Sequence, residues 1–313
     1  MYIMNKIMII AVVLTSMLFS TDVIWSQNDP MFTQYMFNEL YINPAYAGSR
    51  ENISVTGLIR EQWVGLDGAP STQTLSAHAP VFGKRVGVGL TFLNETIGVS
   101  KRTGFNLNGS YRIPMDANVL SFGLQLGMNS ISENLLDLGL ANDNQFQLNT
   151  GRQLAPNFGF GTYYLAPKWY VGLSIPRMLQ NRLDVTSGTG DVQNKLNVKD
   201  WHYFLTAGSI HTLSSDLKLR PAIMLKAVNG APMELDLSAN LLMREFIWAG
   251  LAYRTGDAMS LLLGAQLTKQ LRLGYSYDLS TSELKDFNSG SHEIMLGYDF
   301  SFDKNKIISP RYF

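Results

Sequence analysis

The chain contains no cysteine in 313 residues. That excludes disulfides, thiolate metal sites, thiol nucleophiles and a lipid-anchoring cysteine at the start of a mature chain. Charge is scarce too: 16% of residues are charged, against roughly 25% in ordinary soluble domains. Such a chain has little with which to cover a water-facing surface. Its 25 basic and 25 acidic residues cancel, so no global field draws in nucleic acid, and a nucleic-acid partner is not expected. The four histidines, His78, His202, His211 and His292, lack metal-site spacing, and neither G-x-S-x-G nor H-E-x-x-H occurs. Ser291 and His292 are adjacent, but neighbours on a strand point to opposite faces and cannot pair. The sequence therefore predicts no enzyme, no metal and no cofactor. After the N-terminus no apolar run is long enough to cross a bilayer as a helix.

What is present begins with an export signal. Lys6 precedes an apolar run from Ile7 to Phe19, and polar residues resume at Ser20 ahead of a small residue, Ser26. A charged, then apolar, then small-residue order predicts a cleaved signal peptide over residues 1–26, with the mature chain starting at Gln27.

Beyond Arg50 the dominant signal is period-two alternation. In "VLSFGLQLGMN" Leu120, Phe122, Leu124, Leu126 and Met128 share one face, opposite Ser121, Gly123, Gln125, Gly127 and Asn129. The same split recurs in "MELDLSANL" and "LRLGYSYDL". Strands are predicted near 52–64, 71–79, 85–97, 101–113, 118–130, 156–166, 168–176, 200–212, 216–228, 232–242, 245–254, 257–268, 270–279 and 291–302. These make an even number, about fourteen, mostly of the length a tilted membrane-spanning strand needs. A soluble sandwich also alternates, but its wet faces usually carry many Lys and Glu. Here the polar face is Gly, Ser, Asn and Thr with single charges such as Arg60, Arg112, Glu234 and Arg272, which suits a barrel lumen. Trp63, Tyr111, Trp169, Trp201, Trp248, Tyr253, Tyr298 and Phe302 lie near strand ends, where interfacial girdles are expected. The fold class is all-β, a transmembrane antiparallel β-barrel over residues 51–313 in the outer membrane, with the lipid bilayer as its surroundings.

Residues 27–50 stand apart. Asp29-Pro30 and Asn43-Pro44 each set a side-chain acceptor at a helix N-cap with Pro at the first helical position. The first helix should run through "MFTQYMFN", and the second should be one turn closed by Gly48. Two short helices before a barrel predict a plug tucked into its periplasmic mouth. The glycine-rich "GVGLTF" from Gly87 then reads as a strand whose small inward residues make room for that plug.

Three blocks, "QNDPMFTQYMFNELYINPAYAGSR", "REQWVGLDGAPSTQTLSAHAP" and "SGSHEIMLGYDF" with a terminal "SPRYF", closely resemble the PorP/SprF family of Bacteroidetes outer-membrane proteins. The resemblance marks Asp29, Pro30, Gln34, Tyr35, Asn43, Pro44, Ala45 and Gly48 in the plug. It also marks Arg60, Gln62, Trp63, Gly68 and Pro70 around the first strand, and Gly290, His292, Glu293 and Gly297 near the last. Glu39 departs from it where the family often has Pro, so a looser link between the helices is expected. The resemblance implies a role with the type IX secretion system, in secretion or surface attachment of a cognate large adhesin or gliding-motility protein. Such a surface protein, and other secretion-system components, are the implied partners. The alternative is a passive channel or small-molecule transporter, since a barrel of this size can enclose a lumen. Long connections at 131–153 and 177–199 exceed what antiparallel strands require and are the expected docking surface.

Overall fold

A computed structural model of the chain describes residues 30–50, 52–138, 151–183, 192–198 and 201–300. The strands run β1 (Ile53–Glu61), β2 (Ser71–Val81), β3 (Val86–Ile97), β4 (Ser100–Met115), β5 (Asn118–Glu133) and β6 (Gln153–Leu165). They continue with β7 (Trp169–Ile175), β8 (Leu179–Leu183), β9 (Val192–Leu196), β10 (Tyr203–Ser209), β11 (His211–Thr212) and β12 (Leu217–Ala227). The last are β13 (Glu234–Met243), β14 (Ile247–Arg254), β15 (Ala258–Gln266), β16 (Leu271–Ser280) and β17 (Ser291–Phe300). Each barrel strand is hydrogen-bonded to its sequence neighbour, and β17 pairs with β1, closing the sheet on itself.

β10 and β11 form one continuous strand. Both pair with β12 in one register, Gly208 opposite Ala222 and His211 opposite Leu219. The break between them falls beside Pro221, which has no N–H to give the ladder. With β8 and β9 paired only to each other as a separate hairpin, the barrel has fourteen strands. All fourteen expected strands are present, and no end is displaced by more than three residues.

Side chains are inverted relative to a soluble protein, as the alternation requires. On β5 Leu124 is 65% exposed on the outer face, while its neighbour Gln125 is 3% exposed and points inward. Tyr111, Trp169 and Tyr253 are exposed near strand ends, as girdle residues should be. Trp248 is a correction: it is buried in the lumen and packs on Phe37 at a ring distance of 5.2 Å. One position in the alternation decides this, since β14 buries even-numbered residues, Trp248, Gly250 and Arg254.

Connections alternate between the two barrel ends. Turns at the end where β1 begins and β17 finishes are short, such as 82–85, 116–117 and 244–246. The opposite end carries 62–70, 134–152, 176–202 and 281–290; outer-membrane barrels place such long loops outside the cell. The hairpin of β8 and β9 belongs to this loop end. Its base is tied to β6, where Asn157 Oδ1 accepts from the Met178 and Leu179 N–H groups at 2.9 and 3.1 Å. Phe302, the terminal "SPRYF" and the signal peptide lie outside the described residues.

Candidate functional site

Residues 30–50 run down the inside of the barrel. Asp29 lies outside the described residues, and the chain after Pro30 is not helical until a 3-10 turn at Tyr35–Phe37. The expected first helix is therefore shorter and starts later. The cause is tertiary: the N–H groups of Thr33 and Gln34 donate to the Glu293 carboxylate at 2.9 and 2.8 Å, which ties this stretch to β17 as a turn rather than a helix. A single α-helical turn, α1 (Glu39–Ile42), follows. The Asn43-Pro44 signal is realised as written: Asn43 Oδ1 accepts from the Ala45 N–H at 3.0 Å, capping one 3-10 turn over Pro44–Tyr46. Gly48 then turns the chain at φ +69, a conformation open to glycine.

At the loop-end half, Arg60 on β1 is the hub. Its guanidinium lies 2.7 Å from Asp278 and 3.1 Å from Glu293, and donates to Thr33 Oγ1 at 3.1 Å. Thr33 in turn donates its hydroxyl to Asp278 at 2.8 Å. All four side chains are buried. Beside them Arg254 pairs with Asp236 at 3.0 Å and Asp257 at 3.1 Å, and reaches the Phe32 carbonyl at 3.4 Å. Buried charges are tolerable only when paired and hydrogen-bonded in this way. The plug backbone supplies part of that satisfaction, so the network and the plug depend on each other.

A second clamp sits at the opposite end. Arg50 pairs with Asp299 at 3.0 Å and donates to the Tyr46 hydroxyl at 3.3 Å. Burial works against the Arg50 charge, but the Tyr46 and Asp299 oxygens outweigh it and hold its pKa above the ordinary value. The Gly48 N–H donates to His78 Nδ1 at 3.1 Å, and Ser110 donates to the Ala47 carbonyl at 2.7 Å. The plug thus spans the lumen lengthwise, which corrects the expectation that it sits only in the mouth.

Between the clamps the plug is packed on all sides. Tyr35, Met36, Phe37 and Ile42 join an apolar cluster with Phe204, Met224, Trp248 and Met295, while Leu40, Ala45 and Tyr46 pack with Tyr163 and Tyr170. On one flank the backbones touch. A Cβ on Gly123 would stand 2.1 Å from Ala45 N, and one on Gly87 would stand 2.0 Å from the Ala47 carbonyl oxygen. The expectation that the small inward residues of the stretch from Gly87 make room for the plug is met at Gly87 and at Gly89, where a Cβ would stand 3.0 Å from the Leu40 side chain.

Glu39 is buried in this middle zone. It is hydrogen-bonded to Tyr170 and to Thr206, the latter at 3.3 Å, and desolvation by burial pushes its pKa up to about 7. It does not loosen the linkage as expected, because it begins α1 and its side chain is held by two barrel strands.

The motif residues converge. Gln34, Tyr35, Asn43, Pro44 and Ala45 are buried in the plug, and Arg60 and Glu293 form the hub. Gln62, Trp63, Gly68 and Pro70 shape the loop above it. The Gln62 N–H bonds Pro70 O at 2.9 Å, Gly68 O accepts from Gly98 at 2.8 Å, and the Val64 N–H reaches Gly290 O at 2.8 Å. Trp63 holds φ 45 there, uncommon for a bulky residue, and its N–H donates to Ser291 Oγ at 3.1 Å. Gly297 leaves space for the Arg272 guanidinium. His292 does not join: it faces outward, with its ring nitrogen 2.7 Å from the Tyr275 hydroxyl. Sequence reasoning missed Thr33, Arg50, Asp278, Arg254 and Asp299. A signal existed for three of them: Arg254, Asp278 and Asp299 are charges on the inward register of an otherwise alternating strand.

These features define an outer-membrane β-barrel whose lumen is occupied by its own N-terminal segment. A family model described as "Type IX secretion system membrane protein PorP/SprF" matches residues 24–298; the chain belongs to that family. It accordingly has a type IX secretion role in the outer membrane, and both family and fold are of a non-enzymatic kind. No curated protein matches the chain in sequence. Among solved structures it is similar to the outer membrane protein Omp33 of Acinetobacter baumannii, at 7% identity and TM-score 0.48, covering 80% of this chain and 98% of that one. It is also similar to a Pseudomonas aeruginosa FadL homologue, at 12% identity and TM-score 0.47, covering 90% and 100%. The CymD monoaromatic hydrocarbon channel stands at 12% identity and TM-score 0.48, covering 89% and 95%.

Proposed function

We propose that this protein serves the secretion or surface attachment of one cognate large surface protein, an adhesin or gliding-motility protein, which docks on its loop end. The observation that carries the reading is the occupied lumen. A segment clamped by Arg60 and Glu293 at one end and by Arg50 and Asp299 at the other is an obstacle to free diffusion. A passive channel gains nothing from it. The long connections at 134–152 and 176–202 share the loop end with the shaped loop 62–70, and long loops on a rigid scaffold are where binding usually lies.

The test is deletion of the gene followed by a survey of cell-surface and secreted proteins. Loss of one large surface protein with the others retained supports a dedicated partner; general failure of secretion supports a core role instead. Replacing both long loops by short Gly-Ser turns should leave barrel levels normal and abolish display of the cognate protein. Normal display with both loops gone would defeat docking at this end.

A further inference from the structure

The outer wall of the barrel is not evenly filled. Across β7, β10, β12, β13 and β14, each hydrogen-bonded to the next, one row of outward side chains reads Trp169, Ser209, Pro221, Ala239 and Leu251. Three small side chains thus stand abreast between two large ones. Ala207 widens the floor on β10, while Ile223 and Leu237, opposite one another on β12 and β13, close it toward the loop end. The result is a dip of about 600 Å³. Neighbouring strands lie about 4.8 Å apart, so the floor is about 10 Å across from Ser209 to Ala239.

Depth and chemistry decide what fits it. Ala207, Ser209, Pro221 and Ala239 all lie within five residues of the turn end of β11, β12 or β13, so the floor belongs to the periplasmic half of an apolar belt about 25 Å tall. Its corner nearest that end is polar. Ser209 Oγ lies 3.0 Å from His211 Nε2, and the Ile210 N–H donates to the Lys168 carbonyl at 2.9 Å, which brings the exposed Lys168 beside the exposed His211. Trp169, 45% exposed, adjoins them, and such amphipathic rings sit at headgroup level. A spanning helix would have to ride over Ile223 and Leu237, whereas an acyl chain of one leaflet stops short, as the dip does. A second copy of the chain fits no better: a two-fold interface sets the same patch against itself, and dip against dip leaves a void. We propose that the dip binds a phospholipid of the periplasmic leaflet, with an acyl chain over Ala207, Pro221 and Ala239 and the phosphate beside Lys168 and His211. This concerns the lipid-facing wall and holds whether or not the loops bind a partner.

The test uses the full-length barrel, purified in mild detergent and mixed with dioleoyl-phosphatidylglycerol. Native mass spectrometry should show one lipid retained per barrel through detergent exchange. Ala239→Phe, which fills the dip, should lower retention severalfold. Gly109→Phe, which adds the same bulk to an open outward position on β4, should leave it unchanged. Lys168→Ala should lower retention severalfold, and Lys168→Arg should restore it. If Ala239→Phe folds poorly, Ala207→Phe gives the same comparison. Retention indifferent to filling the dip, lost equally in Gly109→Phe, or unmoved by Lys168→Ala would overturn the proposal, as would a lipid-free dimer that Ala239→Phe dissociates.

Discussion

Glu39 gives the plug a calculable response to pH. Its carboxyl is buried beside Tyr170 and Thr206, and desolvation lifts its pKa from the ordinary 4.5 to about 7. The seated plug therefore holds this proton more tightly than the released plug does. Stability from a raised carboxyl pKa is fully present below about 4.5, declines as pH rises, and is gone above about 7. The difference between those limits corresponds to about 3 kcal/mol in favour of the protonated form. Glu39→Gln, which cannot ionise, should flatten the pH dependence and strengthen the seated state at pH 8. The gain should be below about 3 kcal/mol, because the new NH2 group lacks a ready partner. Amide hydrogen exchange across residues 32–50, corrected for the intrinsic effect of pH on exchange, reports plug opening directly. Protection in the native protein should fall between pH 5 and pH 8 and stay level in the variant. Identical profiles for the two proteins, or native protection rising with pH, would refute the assignment.

Removing the hub should be severe: Arg60→Ala leaves Asp278 and Glu293 buried without their cation, a loss of about 3–5 kcal/mol, readable as a lowered midpoint of thermal unfolding in detergent. Leu124→Arg or Leu237→Arg on the outer face should cost about 2–4 kcal/mol for folding into lipid vesicles. Gln125→Arg and Ser238→Arg face the lumen and should act on the plug instead; equal tolerance on both faces would count against the barrel orientation. Deleting residues 28–48 should leave the fourteen strands able to close, since their ladder is complete without the plug, and should raise planar-bilayer conductance well above that of the intact protein. Gly123→Val should do the same without a deletion, because its side chain occupies the place of the Ala45 backbone. High steady conductance in the intact protein would favour the passive channel.

The barrel was legible because its signal is local and repeated. Every strand states its own inward and outward faces, and each turn states its own break, so errors do not accumulate along the chain. The plug was legible only in part. Asn43-Pro44 is a local motif and its cap formed as expected, whereas the stretch after Pro30 is decided by a carboxylate 260 residues away in sequence. Trp248 was misplaced for a related reason. Period two fixes which residues share a face, but an aromatic ring suits either a girdle or a crowded lumen, and the partner that decided it, Phe37, belongs to another element. The lone inward charges were visible in sequence; their pairing was not, because β1, β16 and β17 meet only when the barrel closes.

That closure also bears on where specificity resides. The three sequence blocks that carry the family resemblance meet in space: Thr33 and Gln34 from the first, Arg60 from the second and Glu293 from the third form one buried network. Its members are turned away from the surface and bonded to one another, so they cannot touch a docked protein. They hold the plug, and the loop 62–70 above them is fixed by bonds to Gly290 and to Gly98. On the proposed reading, then, the shared blocks build a stoppered and rigid platform, while choice among partners falls to connections that carry none of those blocks, 134–152 and 176–202. Exchanging these two loops between family members should transfer preference for the displayed protein and leave plug protection unchanged. Exchanging residues 30–50, which belong to a shared block, should preserve the Arg60 network and leave the preference where it was.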